Sequence, residues 1–206
     1  YIESDEDAIA YFNAMAETGD STLLQASLDD ISKARGVIQK LKTLGISKVV
    51  MMTGDSERTA RSIAARVGVD EYYSEVLPED KAGYVETAKE EGHKVIMVGD
   101  GINDSPALSA ADAGIAISEG AEIAREIADI TISEDSMDRL VALKLISNAL
   151  MRRVNGNYRF VIGFNLGLIL LGVFGILPPA ASALLHNTST IALSLNSMTN
   201  LLKEPV

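Results

Sequence analysis

Lys94-Val95-Ile96-Met97-Val98 runs directly into Gly99-Asp100-Gly101-Ile102-Asn103-Asp104. A short apolar strand ends on a turn of glycines and oxygen donors, and a helix follows it. Glycine on both sides of Asp100 permits a tight turn. A second stretch repeats the plan: Lys48-Val49-Val50-Met51-Met52 ends in Thr53-Gly54-Asp55.

Working outward, Ser56 to Val67 has helical character and Gly68 closes it. Glu79 to Glu91 reads as another helix, stopped by Gly92. Ala113 to Ile117 and Asp129 to Ile132 read as strands, with a helix over Ala121 to Ala128 between them. Met137 to Val154 reads as a longer helix. Strands joined by helical crossovers imply an α/β fold, a parallel sheet with helices on both faces. Ligands bind at the C-terminal ends of such strands, where both Gly-Asp turns fall. Nearer the start, Leu23 to Leu28 is expected as a strand, and Ser4-Asp5-Glu6-Asp7 as the cap of a helix reaching about Glu17. No internal repeat or low-complexity tract is seen.

The chain has 206 residues and a net charge of −11. After residue 150, Arg152, Arg153, Arg159 and Lys203 face Glu204 alone, a balance of +3, so the first 150 residues carry −14. So acidic a front part argues against a nucleic-acid partner, because phosphate backbones are bound by basic surface. With no Cys, disulfide scaffolds and Cys-based zinc sites are excluded. Tyr1 to Asp7 is acidic and lacks the apolar core of a signal peptide.

Composition breaks near residue 158. Between Arg159 and Lys203 there is no Asp, Glu, Lys or Arg. A spanning helix needs roughly 20 residues. Two are expected here, over about 158–177 and about 180–202, joined at Pro178-Pro179. Arg152, Arg153 and Arg159 before the first and Lys203 after the second place both flanks in the cytoplasm. The alternative is a helical hairpin buried in a large soluble core.

The chemistry lies at the strand ends. Asp100, Asn103 and Asp104 offer hard oxygen ligands of the kind Mg²⁺ takes beside phosphate oxygens. An Asn/Asp/Gly turn without chemical consequence is the alternative. The Thr53 hydroxyl and neighbouring backbone N–H groups suit phosphoryl oxygens. Lys81, after Pro78-Glu79-Asp80, would neutralise a phosphoryl group as a point charge, or else stand solvated at a helix start.

In this order, Met52-Thr53-Gly54-Asp55, Pro78-Glu79-Asp80-Lys81 and the run Gly99 to Leu108 resemble the phosphorylation domain of P-type ATPases, a branch of the haloacid dehalogenase-like phosphotransferases. Ala111-Asp112-Ala113-Gly114-Ile115-Ala116-Ile117 continues the likeness, which covers about residues 30–203. The resemblance implies that Thr53 and Gly54 contact the phosphoryl group, that Lys81 offsets its charge, and that Asp55 belongs with them to the catalytic set. It implies that Gly99, Gly101 and Asn103 shape the cofactor turn, and that Asp100 and Asp104 serve Mg²⁺. ATP would be the substrate.

The family's nucleophile, an Asp in Asp-Lys-Thr-Gly-Thr, is absent from this sequence; Asp5, Asp7, Asp29 and Asp30 lack its neighbours. It would stand upstream, before a nucleotide-binding domain. Asp29-Asp30-Ile31-Ser32-Lys33 departs from the Asp-Pro strand exit usual there. The expected organisation is therefore a remnant of the nucleotide-binding domain over 1–28, a haloacid dehalogenase-like phosphorylation portion over 29–154, and a transmembrane hairpin over 155–206.

Two spans after this domain resemble the heavy-metal-transporting group. The reading that follows is the C-terminal portion of a multi-pass membrane transporter, its soluble part cytoplasmic, inactive without its missing N-terminal part. His186 and Asn165 are candidate ligands of the transported cation, with zinc, cadmium or cobalt favoured; the alternative is that these groups only bond neighbouring helices. Copper-type members usually carry Tyr-Asn and Met-Ser-Ser where this chain has Phe164-Asn165 and Asn196-Ser197-Met198. Alternative functions are a membrane-tethered phosphatase of the same superfamily and a non-catalytic regulatory module.

Overall fold

The structure is a computed structural model that describes residues 21–99, 102–117, 126–132 and 137–202. Asp100 and Gly101 lie outside the described residues, as do the helix expected up to Glu17, most of that expected over Ala121 to Ala128, and Lys203. The chain falls into two compact units, Tyr1–Val141 and Ala142–Val206.

The first unit alternates helix and strand: α1 (Ser21–Thr43), β1 (Val50–Met52), α2 (Glu57–Val67), β2 (Glu71–Tyr73), α3 (Pro78–Glu90), β3 (Ile96–Gly99), a 3₁₀ turn (Ile102–Asp104), α4 (Ser105–Ala110), β4 (Ala113–Ile117) and β5 (Ile130–Ile132). Every strand pair is parallel. Among the described residues they form two sheets, β1-β2 and β3-β4-β5, where one was expected. A common core joins them. Val85 of α3, Met97 of β3, and Ala107 and Leu108 of α4 are buried together, and Met52 at the end of β1 packs against them.

Sequence foresaw four of these strands. It missed β2, where three residues, two of them Tyr, are too few for alternation to show. The strand expected over Leu23 to Leu28 is wrong: these residues are helical, within α1. That segment has no β-branched residue, and Leu24, Leu28 and Ile31 recur at helical spacing. The divergent Asp29 to Lys33 stretch is helical too.

One device recurs at the N-terminal edge of the sheets. An Asp immediately before a strand accepts a backbone N–H from the start of the neighbouring strand or from the residue just before it. Asp70, before β2, takes the Val49 N–H at 2.8 Å and the Lys42 ammonium at 2.6 Å. Asp112, before β4, takes the Val95 N–H at 3.0 Å and the Lys94 ammonium at 2.9 Å. Asp129, before β5, takes the N–H of Gly114 at 2.8 Å. Each lies one residue before the first registered pair: Val50 with Glu71, Ile96 with Ala113, Ile115 with Ile130. These contacts pin the register of parallel strands too short to fix it alone.

The paired ammonium, and then the backbone N–H, hold the carboxyls of Asp70 and Asp112 below their usual range. A depressed folded-state value stabilises the fold above the ordinary carboxylate pKa of about 3.9, and that contribution is lost as pH falls toward the folded value. Acidification below about pH 4 should therefore loosen both sheets. Asp112→Asn should flatten the acid limb of a melting-temperature-versus-pH curve for the β3-β4 pair; an unchanged limb would refute the assignment.

The second unit contains the rest of α5 (Asp138–Val173) and α6 (Pro179–Ser197). The helix expected to stop at Val154 runs on unbroken through Asn155-Gly156-Asn157, residues of low helix propensity, with no proline there to end it. Gly175, at φ 72°, turns the chain between the helices, and Pro178 precedes the first turn of α6. The helices run antiparallel. Arg153 donates to the carbonyls of Ser197, Thr199 and Asn200 at 3.2, 2.6 and 3.0 Å, capping the end of α6. The Asn157 amide donates to the Ser197 hydroxyl at 2.9 Å.

Among the described residues α5 is the one helix long and apolar enough to cross a membrane. Helix α6 has 19 residues, about 28 Å at 1.5 Å each, without a charge. Its Ser, Thr and Asn residues lower its hydropathy. Their hydroxyls are satisfied internally: Thr190 donates to the His186 carbonyl, Ser194 to that of Thr190 and Ser197 to that of Leu193. No residue of α6 is buried. Large apolar side chains such as Ile169, Val173, Leu184 and Ile191 stand exposed, a surface that calls for lipid or further helices.

Candidate functional site

Two loops leave the C-terminal ends of strands that pack on one core. The first begins at Thr53, whose N–H continues the ladder to the Tyr73 carbonyl at 3.0 Å. Its carbonyl accepts from Val76 at 3.0 Å, and the Asp55 carbonyl from Glu75 at 2.9 Å. Glu75 takes a left-handed conformation, φ 54°, to make that return. The Thr53 hydroxyl donates to the Asp55 carboxylate at 2.8 Å and accepts the Asp55 N–H at 3.1 Å. Gly54 and Asp55 are exposed. The Gly54 N–H has no partner among the described residues.

The second loop carries the more constrained chemistry. Lys81 stands in the first turn of α3, four residues before the buried Val85. Its ammonium therefore emerges beside the core, and it meets Asp104 Oδ1 at 2.6 Å. Only 16% of the Lys81 side chain and 10% of the Asp104 side chain remain exposed, which makes this the most enclosed ion pair among the described residues. The geometry depends on Gly99. A Cβ there would lie 2.6 Å from Asp104 Cβ and 2.7 Å from Oδ2. Asn103 is exposed beside it. The Ser105 hydroxyl is buried and finds no partner among the described residues.

Of the residues singled out from sequence, Lys81, Gly99, Asn103 and Asp104 are thus brought to one place. Thr53, Gly54 and Asp55 form the loop after β1. Asp100 and Gly101 are outside the described residues. Among the described residues there is no cluster of three His, Cys, Asp or Glu side chains able to hold a metal. The donors at this loop, Asp104 Oδ2 and the Asn103 amide oxygen, are all hard oxygens, a set that fits Mg²⁺ rather than a soft metal. Sequence reasoning gave Lys81 and Asp104 separate tasks and missed that they pair. No local spacing marks the pairing, since the two residues stand 23 positions apart.

In the second unit, His186 Nδ1 lies 2.9 Å from Asn165 Oδ1, across the two helices. Both residues were candidates for the transported cation, and the structure places them in direct contact. Nearer the Arg153 end, Asn157, Val161, Thr190, Leu193, Ser194 and Ser197 line an open groove of about 540 Å³.

Comparison with known proteins adds an independent finding. A model of the haloacid dehalogenase-like hydrolase family matches residues 3–112, and a second model of the same description matches residues 84–142. A manganese-exporting P-type ATPase of Mycobacterium leprae is 39% identical over 166 residues, 80% of this chain and 23% of its own length. A copper-exporting P-type ATPase of Staphylococcus haemolyticus is 39% identical over 167 residues, 81% of this chain and 21% of its own length. A crystal structure of a zinc-transporting PIB-type ATPase in an E2.Pi state superposes with a TM-score of 0.72 at 31% identity, over 79% of this chain and 26% of that one. The chain spans less than a quarter of the length of the curated relatives it matches.

Proposed function

Because this chain belongs to the haloacid dehalogenase-like hydrolase family, with heavy-metal P-type ATPases among its relatives, we propose that it is the C-terminal part of an ATP-driven transporter of divalent heavy-metal cations. The observation that carries the reading is the enclosed Lys81–Asp104 pair at the strand ends. A cation held against a carboxylate, at the rim where such sheets bind ligands, is suited to a dianionic phosphoryl group.

In this reading Lys81 offsets phosphoryl charge while Asp104 fixes its ammonium. The Gly54 N–H donates to a phosphoryl oxygen, and the Thr53 hydroxyl turns from Asp55 to a second one. Asp100, Asn103 and Asp104 would hold Mg²⁺, which when bound supplies further neutralisation of phosphoryl charge. The nucleophilic Asp comes from upstream sequence, as does the nucleotide-binding domain whose end is residues 1–28. Val50, Ile96 and Val98 support that arrangement: they are 39–46% exposed on β1 and β3, strands of a kind normally covered. Residues 29–154 form the phosphorylation portion on the cytoplasmic side, and 155–206 a hairpin in the bilayer of a multi-pass protein. His186 faces the transported cation.

The isolated chain is expected to take up no phosphate from ATP. Joined to its natural upstream sequence, it is expected to form a hydroxylamine-sensitive phosphoprotein and to hydrolyse ATP faster with one of the heavy-metal ions. Full-length protein whose hydrolysis ignores all of them would overturn the reading.

A further inference from the structure

We infer that Asn165 is a positioning residue, which sets the tautomer of His186 so that Nε2 offers its lone pair to the transported cation. The inference rests on the cargo role proposed for His186 above. It changes the part played by Asn165, which sequence alone suggested as a ligand in its own right.

Two observations carry it. The first is the contact itself, His186 Nδ1 to Asn165 Oδ1 at 2.9 Å. An amide oxygen has no proton to give, so this bond closes only when Nδ1 bears the hydrogen. A neutral imidazole carries one N–H. Nε2 is then left with its lone pair. The second is that no other group among the described residues bonds the ring. Ser189 and Thr190, three and four residues on, donate their hydroxyls to the His186 backbone carbonyl at 2.8 and 3.0 Å instead of to the ring. Nε2 has no partner among the described residues. His186 is exposed and Asn165 half-buried, so the free nitrogen is open to solvent or to a further helix. Metal-binding histidines are oriented in this way, with the second ring nitrogen donating to a fixed acceptor.

The chain contains only two histidines, His93 and His186. In the full-length protein labelled with ¹⁵N-histidine, the His186 signal is identified by its loss in His186→Gln and read by solid-state NMR in lipid bilayers. The expected wild-type spectrum is a single tautomer, protonated at Nδ1. Asn165→Leu should give a mixture, and Asn165→Asp, which keeps an oxygen acceptor, should restore one form. A helix-packing role alone would not produce that pattern. Zn²⁺ alone is the probe for the second half. It should move the Nε2 signal, and Asn165→Leu should need about 10–100-fold more zinc. A wild-type ring protonated at Nε2, or a tautomer indifferent to Asn165→Leu, overturns the positioning role and leaves the cargo reading standing. The expected tautomer with Nε2 untouched by zinc overturns the cargo role, and with it the purpose assigned to Asn165.

Discussion

Lys81→Met in the full-length protein should abolish phosphoprotein formation and destabilise the first unit by about 3–5 kcal/mol. The second figure follows from burial. Asp104 keeps only 10% of its side chain exposed, and Lys81 is its cationic partner. Removing the ammonium strands a carboxylate that water barely reaches, and Met fills the space without supplying charge. The stability loss and the functional loss can be separated. In Lys81→Met with Asp104→Leu, both charges are gone and two apolar groups take their place. Such replacements of an enclosed pair are often neutral or stabilising. The double variant should therefore regain most of the melting temperature and none of the phosphorylation. A single variant that melts like wild type would show that the pair does not hold the loop, and a phosphorylated double variant would remove Lys81 from the chemistry.

Gly99→Ala should act on the same loop from the opposite side. The added methyl would sit 2.6 Å from Asp104 Cβ, a contact that the base of a side chain cannot turn away from. Either the 3₁₀ turn moves or Asp104 releases Lys81. Overpacking of this kind costs about 1–3 kcal/mol, and here it also spoils the site. Gly83→Ala provides the control. A Cβ at Gly83 meets nothing within 4 Å, and the residue lies on the exposed face of α3. That change should stabilise by about 0.5–1 kcal/mol. Thermal unfolding of both variants, with phosphorylation measured in full-length protein, tests the contrast. Equal behaviour of the two would refute the close-approach argument.

The strand-to-helix alternation was legible because β1, β3 and β4 are apolar runs bounded by Gly and Asp, and because Ser56 and Gly68 bracket α2. What sequence could not show was tertiary. The fate of Leu23 to Leu28 depended on whether a leucine-rich segment met a sheet, and it became helix. The register-pinning role of Asp70, Asp112 and Asp129 required knowing which strands are neighbours. At the site, the motif singled out Lys81 and Asp104 but said nothing of their contact, which spans 23 positions. The meeting of His186 with Asn165 likewise depends on how α5 and α6 align, and their spacing alone does not determine that.

The guanidinium of Arg153 holds the carbonyl of Ser197, the last residue of α6, and those of Thr199 and Asn200 just beyond it, while Gly175 closes the other end of the hairpin. Sliding one helix past the other by a single turn, about 5.4 Å, would strip all three bonds from a positive charge at once. The two rods are thus riveted into one mechanical piece. A displacement along the helix axis would therefore carry both together instead of sliding one past the other.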